Sequence, residues 1–142
     1  FSMNVPFFDL IGATTVAHIH CCTATPLAGT AGVATATPSF PGFPSGVTTG
    51  LYEQTFSLAD ASFYNPAYIT ANGGTVDSAR AAFLSGLAGN QSYFNIHTSQ
   101  YSGGEIRGFL VAAPIPEPAT WSMLGLGLGV LGLLGRRRRA SA

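Results

Sequence analysis

Three histidines are the residues whose type and spacing come nearest to a chemical site in this sequence of 142 residues. His18 and His20 are two positions apart, so on a β-strand both imidazoles project from one face, as chelating ligands must. If the strand of His97 lies beside that of the pair, three neutral imidazoles converge, a donor set suited to Zn or Cu. The alternative is that His97 forms a hydrogen bond within the sheet while His18 and His20 face solvent or a neighbouring loop.

The two cysteines, Cys21 and Cys22, are adjacent in the sequence. A bond between neighbouring cysteines closes an eight-membered ring outside the usual disulfide geometry, so we expect no disulfide and two small thiols at a strand end. The alternatives are a vicinal redox pair, a bridge to another chain, and a softer ligand beside the histidines.

Glu105 and Arg107 are expected on one face of a strand, where a structural ion pair is the simplest interpretation. A lone Glu–Arg pair lacks the second acid or nucleophile that a general acid–base scheme needs. The sequence also lacks a phosphate-binding loop, an H-E-x-x-H motif and a nucleophile elbow. We therefore expect no enzymatic activity and no catalytic residue.

Short β segments separated by turn residues must position these side chains. Alternation of apolar and polar side chains predicts four strands, the last two joined as a hairpin, at residues 16–20, 50–56, 92–98 and 105–112. Residues 26–50 are rich in Gly, Pro and Thr, and they are predicted to form a long loop that carries Phe40 and Phe43.

One short helix is predicted between the second and third strands. Asp77 or Ser78 can cap its start and Gly86 can close it, which places the helix at residues 77–85. The aromatic residues 63–68 just upstream are predicted to form an irregular or extended segment.

The charge pattern excludes one class of partner. Charged residues make up 8% of the sequence, and four of the six basic residues are consecutive, Arg136 to Arg139. The rest of the chain therefore has Arg80 and Arg107 against six acids, which offers no cationic surface for phosphates. We expect no binding of nucleic acid. The length allows one core plus an appendage.

The C-terminal region is typical of a membrane signal. Residues 119–135 carry no charge and end directly against Arg136, Arg137, Arg138 and Arg139. A helix of this length spans roughly 26 Å, which fits a short or transient transmembrane helix. The arginines are expected to stay cytoplasmic, with residues 1–113 across the membrane. Three prolines make residues 114–118 a stiff exposed linker, and residues 136–142 form the basic tail.

This arrangement resembles the PEP-CTERM sorting signal. The resemblance is carried by Pro116, Glu117 and Pro118, the apolar run at residues 121–134 and the four arginines. It implies export in a Gram-negative-type bacterium, recognition by an exosortase-type membrane protease, and removal of the helix. The precursor is expected to be anchored in the inner membrane through its tail, and the product to reach the cell surface or the extracellular space.

The body resembles the CHRD domain over roughly residues 5–111. The resemblance is carried by an ordered set of motifs, AHIH at 17–20, FYNPA at 63–67, an Ala-rich helix, YFNIHT at 93–98 and GGEIRG at 103–108. It implies an extracellular antiparallel β-sandwich, immunoglobulin-like or superoxide-dismutase-like, with no established catalytic activity. The H-x-H strand is also similar to the ligand strand of copper-zinc superoxide dismutases, but their further histidines and bridging ligand are lacking, so dismutase activity is not expected.

The N-terminus is expected to be incomplete. The sequence begins without an initiating Met, a basic segment or a cleavage site, and the CHRD resemblance implies further strands before Phe1. We therefore expect part of a sheet edge and an apolar face to be exposed.

Together these observations favour a non-enzymatic, exported protein with a structural or adhesive role at the cell surface or in an extracellular matrix. Beyond the exosortase, its expected partners are exopolysaccharide or further copies of itself. The alternative is a metal-binding or redox domain that holds Cu or Zn at His18, His20 and His97, and no other cofactor is expected.

Overall fold

The computed structural model describes residues 1–111 of the chain. Within them the elements follow in the order β1 (Ser2–Phe7), β2 (Thr14–His20), β3 (Gly50–Thr55), a 3₁₀ turn (Ala61–Phe63), α1 (Pro66–Ala71), α2 (Val76–Ala88), β4 (Tyr93–Thr98) and β5 (Ile106–Phe109). No helix in this range is long and apolar enough to cross a membrane. The predicted linker, transmembrane helix and arginine cluster lie outside the described residues.

The strands form two antiparallel sheets. β1 pairs with β3, and β4 lies between β2 and β5. All four predicted strands are present, with ends that differ by at most three residues, whereas β1 was not predicted. The fold is therefore mostly β with antiparallel sheets and few helices, as predicted. Its assignment to an immunoglobulin-like or superoxide-dismutase-like sandwich stays a prediction.

Both sheets contribute to one apolar core. Alternate residues of each strand face inward, such as Ile19 on β2 and Ile96 on β4, because successive side chains point to opposite faces of a sheet. The long loop between β2 and β3 packs on the same core through Phe40, whose ring stacks on that of Phe94 at 6.1 Å. The loop thus covers part of the three-stranded sheet.

An apolar groove of about 730 Å³ lies between β1 and β5. In the described residues each of these two strands pairs on one side only. Residues of β1, including Met3 and Val5, line the groove together with Ile106 and Leu110. The expectation that leading strands are missing before Phe1 stays a prediction.

The helices differ from the prediction. α2 begins after Thr75, whose side chain accepts the N–H of Ser78 in a capping box, so neither Asp77 nor Ser78 is the cap. The helix also continues past Gly86, which is buried inside it. The segment predicted as irregular or extended contains the start of α1, because the Asn65 side chain caps a helix whose first residue is a proline.

The two cysteines are joined by a disulfide, so the expectation of two free thiols was wrong. The pair lies against α2 at Gly86. A Cβ at Gly86 would collide with both sulfurs and would lie 3.2 Å from the Ser92 hydroxyl. The absence of a side chain at this position therefore allows the helix to pack closely on the end of β2.

The predicted ion pair between Glu105 and Arg107 does not form. The Glu105 carboxylate instead accepts the backbone N–H groups of Ile11, at 2.6 Å, and Gly12, at 3.0 Å, and the Thr98 hydroxyl at 2.8 Å. Arg107 donates to a backbone carbonyl, and within residues 1–111 the one salt bridge joins Arg80 to Asp77. Glu105 therefore ties the loop after β1 to the hairpin of β4 and β5.

Three hydrogen bonds control the ionisation of Glu105. Desolvation on its own raises the pKa of the carboxyl, but the donors Gly12, Ile11 and Thr98 outweigh it, and the net effect is a lowered pKa. Because the pKa is lower in the folded state than in the unfolded state, the ionised carboxylate stabilises the fold at pH values above 4.5, the pKa in the unfolded state. This stabilisation is lost as the pH falls through the pKa of the folded state.

Replacement of Gly86 by Ala should destabilise the protein by roughly 1–3 kcal/mol, because the added methyl group overpacks the contact with the disulfide. In an open helix interior the same change would stabilise by about 1 kcal/mol, so the sign of the effect is informative. Chemical denaturation measures it, with Ser85→Ala on the exposed side of α2 as the control. A more stable Gly86→Ala variant would contradict this packing.

Replacement of Glu105 by Gln should lower the melting temperature at pH 7, because the charge that strengthens three hydrogen bonds is removed. The difference from the wild-type protein should shrink as the pH falls below 4.5, the pKa in the unfolded state, and through the lower pKa of the folded wild-type carboxyl. Glu53→Gln, at an exposed position of β3, makes the same change in charge and serves as the control. A difference that is constant from pH 7 to pH 3 would disprove the role of this carboxylate.

Candidate metal centre

The register between β2 and β4 brings the histidines to one face of the three-stranded sheet. His18 lies opposite Asn95, and Ile19 beside it points into the core. His20 shares the face of His18 because it is two residues further along β2. His97 shares the face of Asn95 for the same reason on β4, so it lies diagonally across from His18.

The three imidazole rings are in contact. The ring of His18 lies 5.0 Å from that of His20 and 4.7 Å from that of His97, between centroids, and the rings of His20 and His97 are 6.3 Å apart. One ring nitrogen from each residue lies within 4.8 Å of the other two. The structure thus brings together all three histidines that the sequence singled out; that they bind a metal stays a prediction.

Backbone carbonyls orient two of the rings. Nδ1 of His20 lies 2.8 Å from the Ala31 carbonyl oxygen, and Nδ1 of His97 lies 2.7 Å from that of Ser102. Because a carbonyl oxygen can only accept, we assign the proton of each ring to Nδ1. Nε2 of each ring then carries a free electron pair, which is the form that binds a metal ion.

Burial keeps the first two imidazoles neutral. His18 is 7% exposed, and desolvation, followed by repulsion from His20 and His97, lowers its pKa from 6.5 to about 4. The pKa of His20 is also lowered, first by desolvation and then by the charges of His97 and Arg107, although its hydrogen bond to Ala31 opposes the shift. Near pH 7 both rings therefore need no deprotonation before they can ligate a metal.

Two buried nitrogens in the cluster have no hydrogen-bond partner, Nδ1 of His18 and Nε2 of His20. Buried polar atoms in folded proteins nearly always have a partner, because an unpaired one has lost its hydration without compensation. These two atoms are therefore open to a water molecule or to a metal ion.

The surrounding side chains hold His20 in place. Its ring stacks on that of Tyr93, with centroids 4.7 Å apart and planes within 6° of parallel. The guanidinium of Arg107 lies 5.1 Å from the Tyr93 ring and donates to the carbonyl of Gly29. Tyr93 and Asn95 share the face of His97 by alternation along β4, but neither was assigned to the site from the sequence.

Neither cysteine belongs to the cluster. Within residues 1–111 the group of potential ligands consists of the three histidines, with no thiol or carboxylate among them. The sulfurs of Cys21 and Cys22 are bonded to each other and lie near the Tyr68 hydroxyl instead. The alternative of a softer sulfur ligand is therefore wrong for this structure.

The fold and the cluster lie within a recognised domain. The family model of the CHRD domain matches residues 1–110. The chain belongs to the CHRD family. All three histidines, Asn95 and Glu105 fall within its CHRD domain. No curated protein and no solved structure matches the chain.

A second family model, the PEP-CTERM protein-sorting motif, matches residues 114–139. It covers Pro116, Glu117 and Pro118 and the four arginines, as predicted. The motif identifies the chain as an exported protein with a membrane-anchored precursor that an exosortase processes. The CHRD domain and its histidine cluster are thus carried by an exported protein.

Proposed function

We propose that the CHRD domain of this exported protein binds one Zn²⁺ or Cu²⁺ ion through His18, His20 and His97. The observation that carries the proposal is the approach of one ring nitrogen from each histidine to within 4.8 Å of the other two. Three neutral imidazoles are a common ligand set for both ions.

The outer contacts of the rings favour this function. Metal-binding histidines usually donate their second ring N–H to a carbonyl or a carboxylate, which fixes the tautomer and the ring orientation. His20 and His97 make this contact with Ala31 and Ser102. A bound ion would also provide a partner for the buried nitrogens of His18 and His20 that the protein leaves unpaired.

The site supports metal binding more than it supports catalysis. Three nitrogen ligands leave at least one coordination position of a tetrahedral ion for water or another ligand. No Asp, Glu or Cys joins the cluster in the part of the chain that the structure describes, so these residues offer no general acid or base beside the ion. We therefore propose a non-enzymatic role. For a role in redox chemistry the proposed ion is Cu, because Zn²⁺ does not change its oxidation state.

The destination and the partners are separate proposals. The sorting motif supports export, and we propose that the processed protein stays at the cell surface or in an extracellular matrix, where a structural or adhesive role fits its address. Exopolysaccharide and further copies of the protein are the partners proposed for such a role. Metal binding is compatible with a structural or adhesive role, because a bound ion would also stabilise the fold.

Titration of the purified protein with Zn²⁺, and separately with Cu²⁺, should show binding of one ion per chain by calorimetry and elemental analysis. Loss of a hydrogen-bond partner of a metal ligand typically weakens metal binding roughly 10–100-fold. Each of the variants His18→Ala, His20→Ala and His97→Ala should weaken binding by more than this, because it removes a ligand itself. Asp77→Asn, on α2 and outside the cluster, removes a potential surface ligand and should leave the affinity unchanged. Less than stoichiometric uptake by the wild-type protein would rule out the metal site.

Replacement of Glu117 by Ala should cause the precursor to accumulate in the membrane fraction, because the exosortase recognises the Pro-Glu-Pro motif. Cell fractionation and the intact mass of the product measure this, and Glu53→Ala on β3 is the control for loss of one acid. A mature wild-type product that keeps residues 119–139 would contradict processing of the tail.

A further inference from the structure

The side-chain amide of Asn95 contacts a ring nitrogen of one of the three histidines. Its side-chain Nδ2 lies 3.2 Å from Nε2 of His97 and 3.3 Å from the carbonyl oxygen of Gly103. Because Nδ1 of His97 donates to Ser102, Nε2 is an acceptor, and the Asn95 amide donates to it. The three histidines are therefore not equivalent.

The electron pair on Nε2 of His97 cannot serve two partners. It accepts the hydrogen bond from Asn95 or it coordinates a metal ion. The buried Nδ1 of His18 and Nε2 of His20 have no such competitor. Of these nitrogens, that of His97 is the one that must break a hydrogen bond before it can bind.

The spacing of the nitrogens supports the same conclusion. The ligand atoms of the three histidines are as much as 4.8 Å apart, whereas nitrogens about 2.0–2.1 Å from a tetrahedral ion lie roughly 3.3 Å from one another. The rings must therefore move together when an ion binds. A hydrogen bond to Asn95 holds His97 back from this movement.

The hairpin between β4 and β5 holds the Asn95 amide in place. Asn95 is 4% exposed, and the Gly103 carbonyl accepts its second N–H. Gly104 has a φ of +113°, and a Cβ at that position would collide with the Asn95 amide. The glycine in the turn thus leaves space for the Asn95 amide beside His97, so the fold itself sets the position of this amide.

We propose that Asn95 competes with the metal ion for Nε2 of His97 and so lowers the affinity of the site. The inference rests on the proposed metal site. Loss of the competing donor leaves the His97 acceptor unpaired in the metal-free protein, and metal binding then restores a partner to it. Removal of the Asn95 amide should therefore tighten binding.

The test compares Zn²⁺ binding by the wild-type protein, Asn95→Ala and Asn95→Leu. Leu cannot donate a hydrogen bond but fills a similar volume, so it tests the proposal even if the Ala variant does not fold. Both variants should bind Zn²⁺ about 2- to 10-fold more tightly, the equivalent of one net hydrogen bond. Asn4→Ala, which removes an exposed amide on β1, should leave the affinity unchanged.

A purely structural role for Asn95 predicts the opposite sign, because a less ordered site binds more weakly. Unchanged or weaker binding in the variants, while the wild-type protein binds, would overturn the role of Asn95 and leave the metal site intact. No binding by the wild-type protein would overturn both proposals, whether or not the variants bind. In the wild-type protein, the NMR signals of the Asn95 side-chain amide should also shift as Zn²⁺ is added; an unperturbed amide at saturation would count against the proposal.

Discussion

The antiparallel register of β2 against β4 is the constraint on which the candidate site depends. Side chains alternate along a strand, so a slip of one residue would turn His18 and His20 into the core and Ile19 into the site. The register places Asn95 opposite His18 and brings His97 within reach of it. A slip of the register would expose the buried apolar residues of the inner face to water, at a large cost in free energy. The core that stabilises the sheet therefore also fixes the geometry of the imidazoles.

Burial and hydrogen bonding together make this geometry chemically useful. The loop between β2 and β3 supplies the Ala31 carbonyl, and the hairpin between β4 and β5 supplies that of Ser102. These contacts assign both protons to Nδ1, while desolvation keeps His18 neutral near pH 7. Glu105 connects that hairpin to the loop after β1, so a residue outside the cluster restrains one of its walls.

Much of this arrangement was predictable, because it follows from short-range patterns. Period-two alternation identified four of the strands and the shared face of His18 and His20, and the tail and the CHRD domain were identified by their motifs. The rest depends on contacts between distant residues. β1 contains Pro6, which disfavours a ladder, and it pairs with a strand about fifty residues away. Likewise two of the partners of Glu105, Ile11 and Gly12, come from the other end of the domain, which no local pattern reveals. The six-residue α1 is too short to show a helical period.

X-ray absorption spectroscopy of the protein loaded with one equivalent of Zn²⁺ tests the central claim most directly, because it reports the atoms bound to the ion. The account predicts three nitrogen ligands at about 2.0–2.1 Å, together with the outer-shell scattering of imidazole rings. One oxygen or nitrogen atom completes the tetrahedral coordination of the ion. A coordination sphere made of oxygen ligands alone, without imidazole scattering, would show that the ion binds elsewhere and would contradict the account.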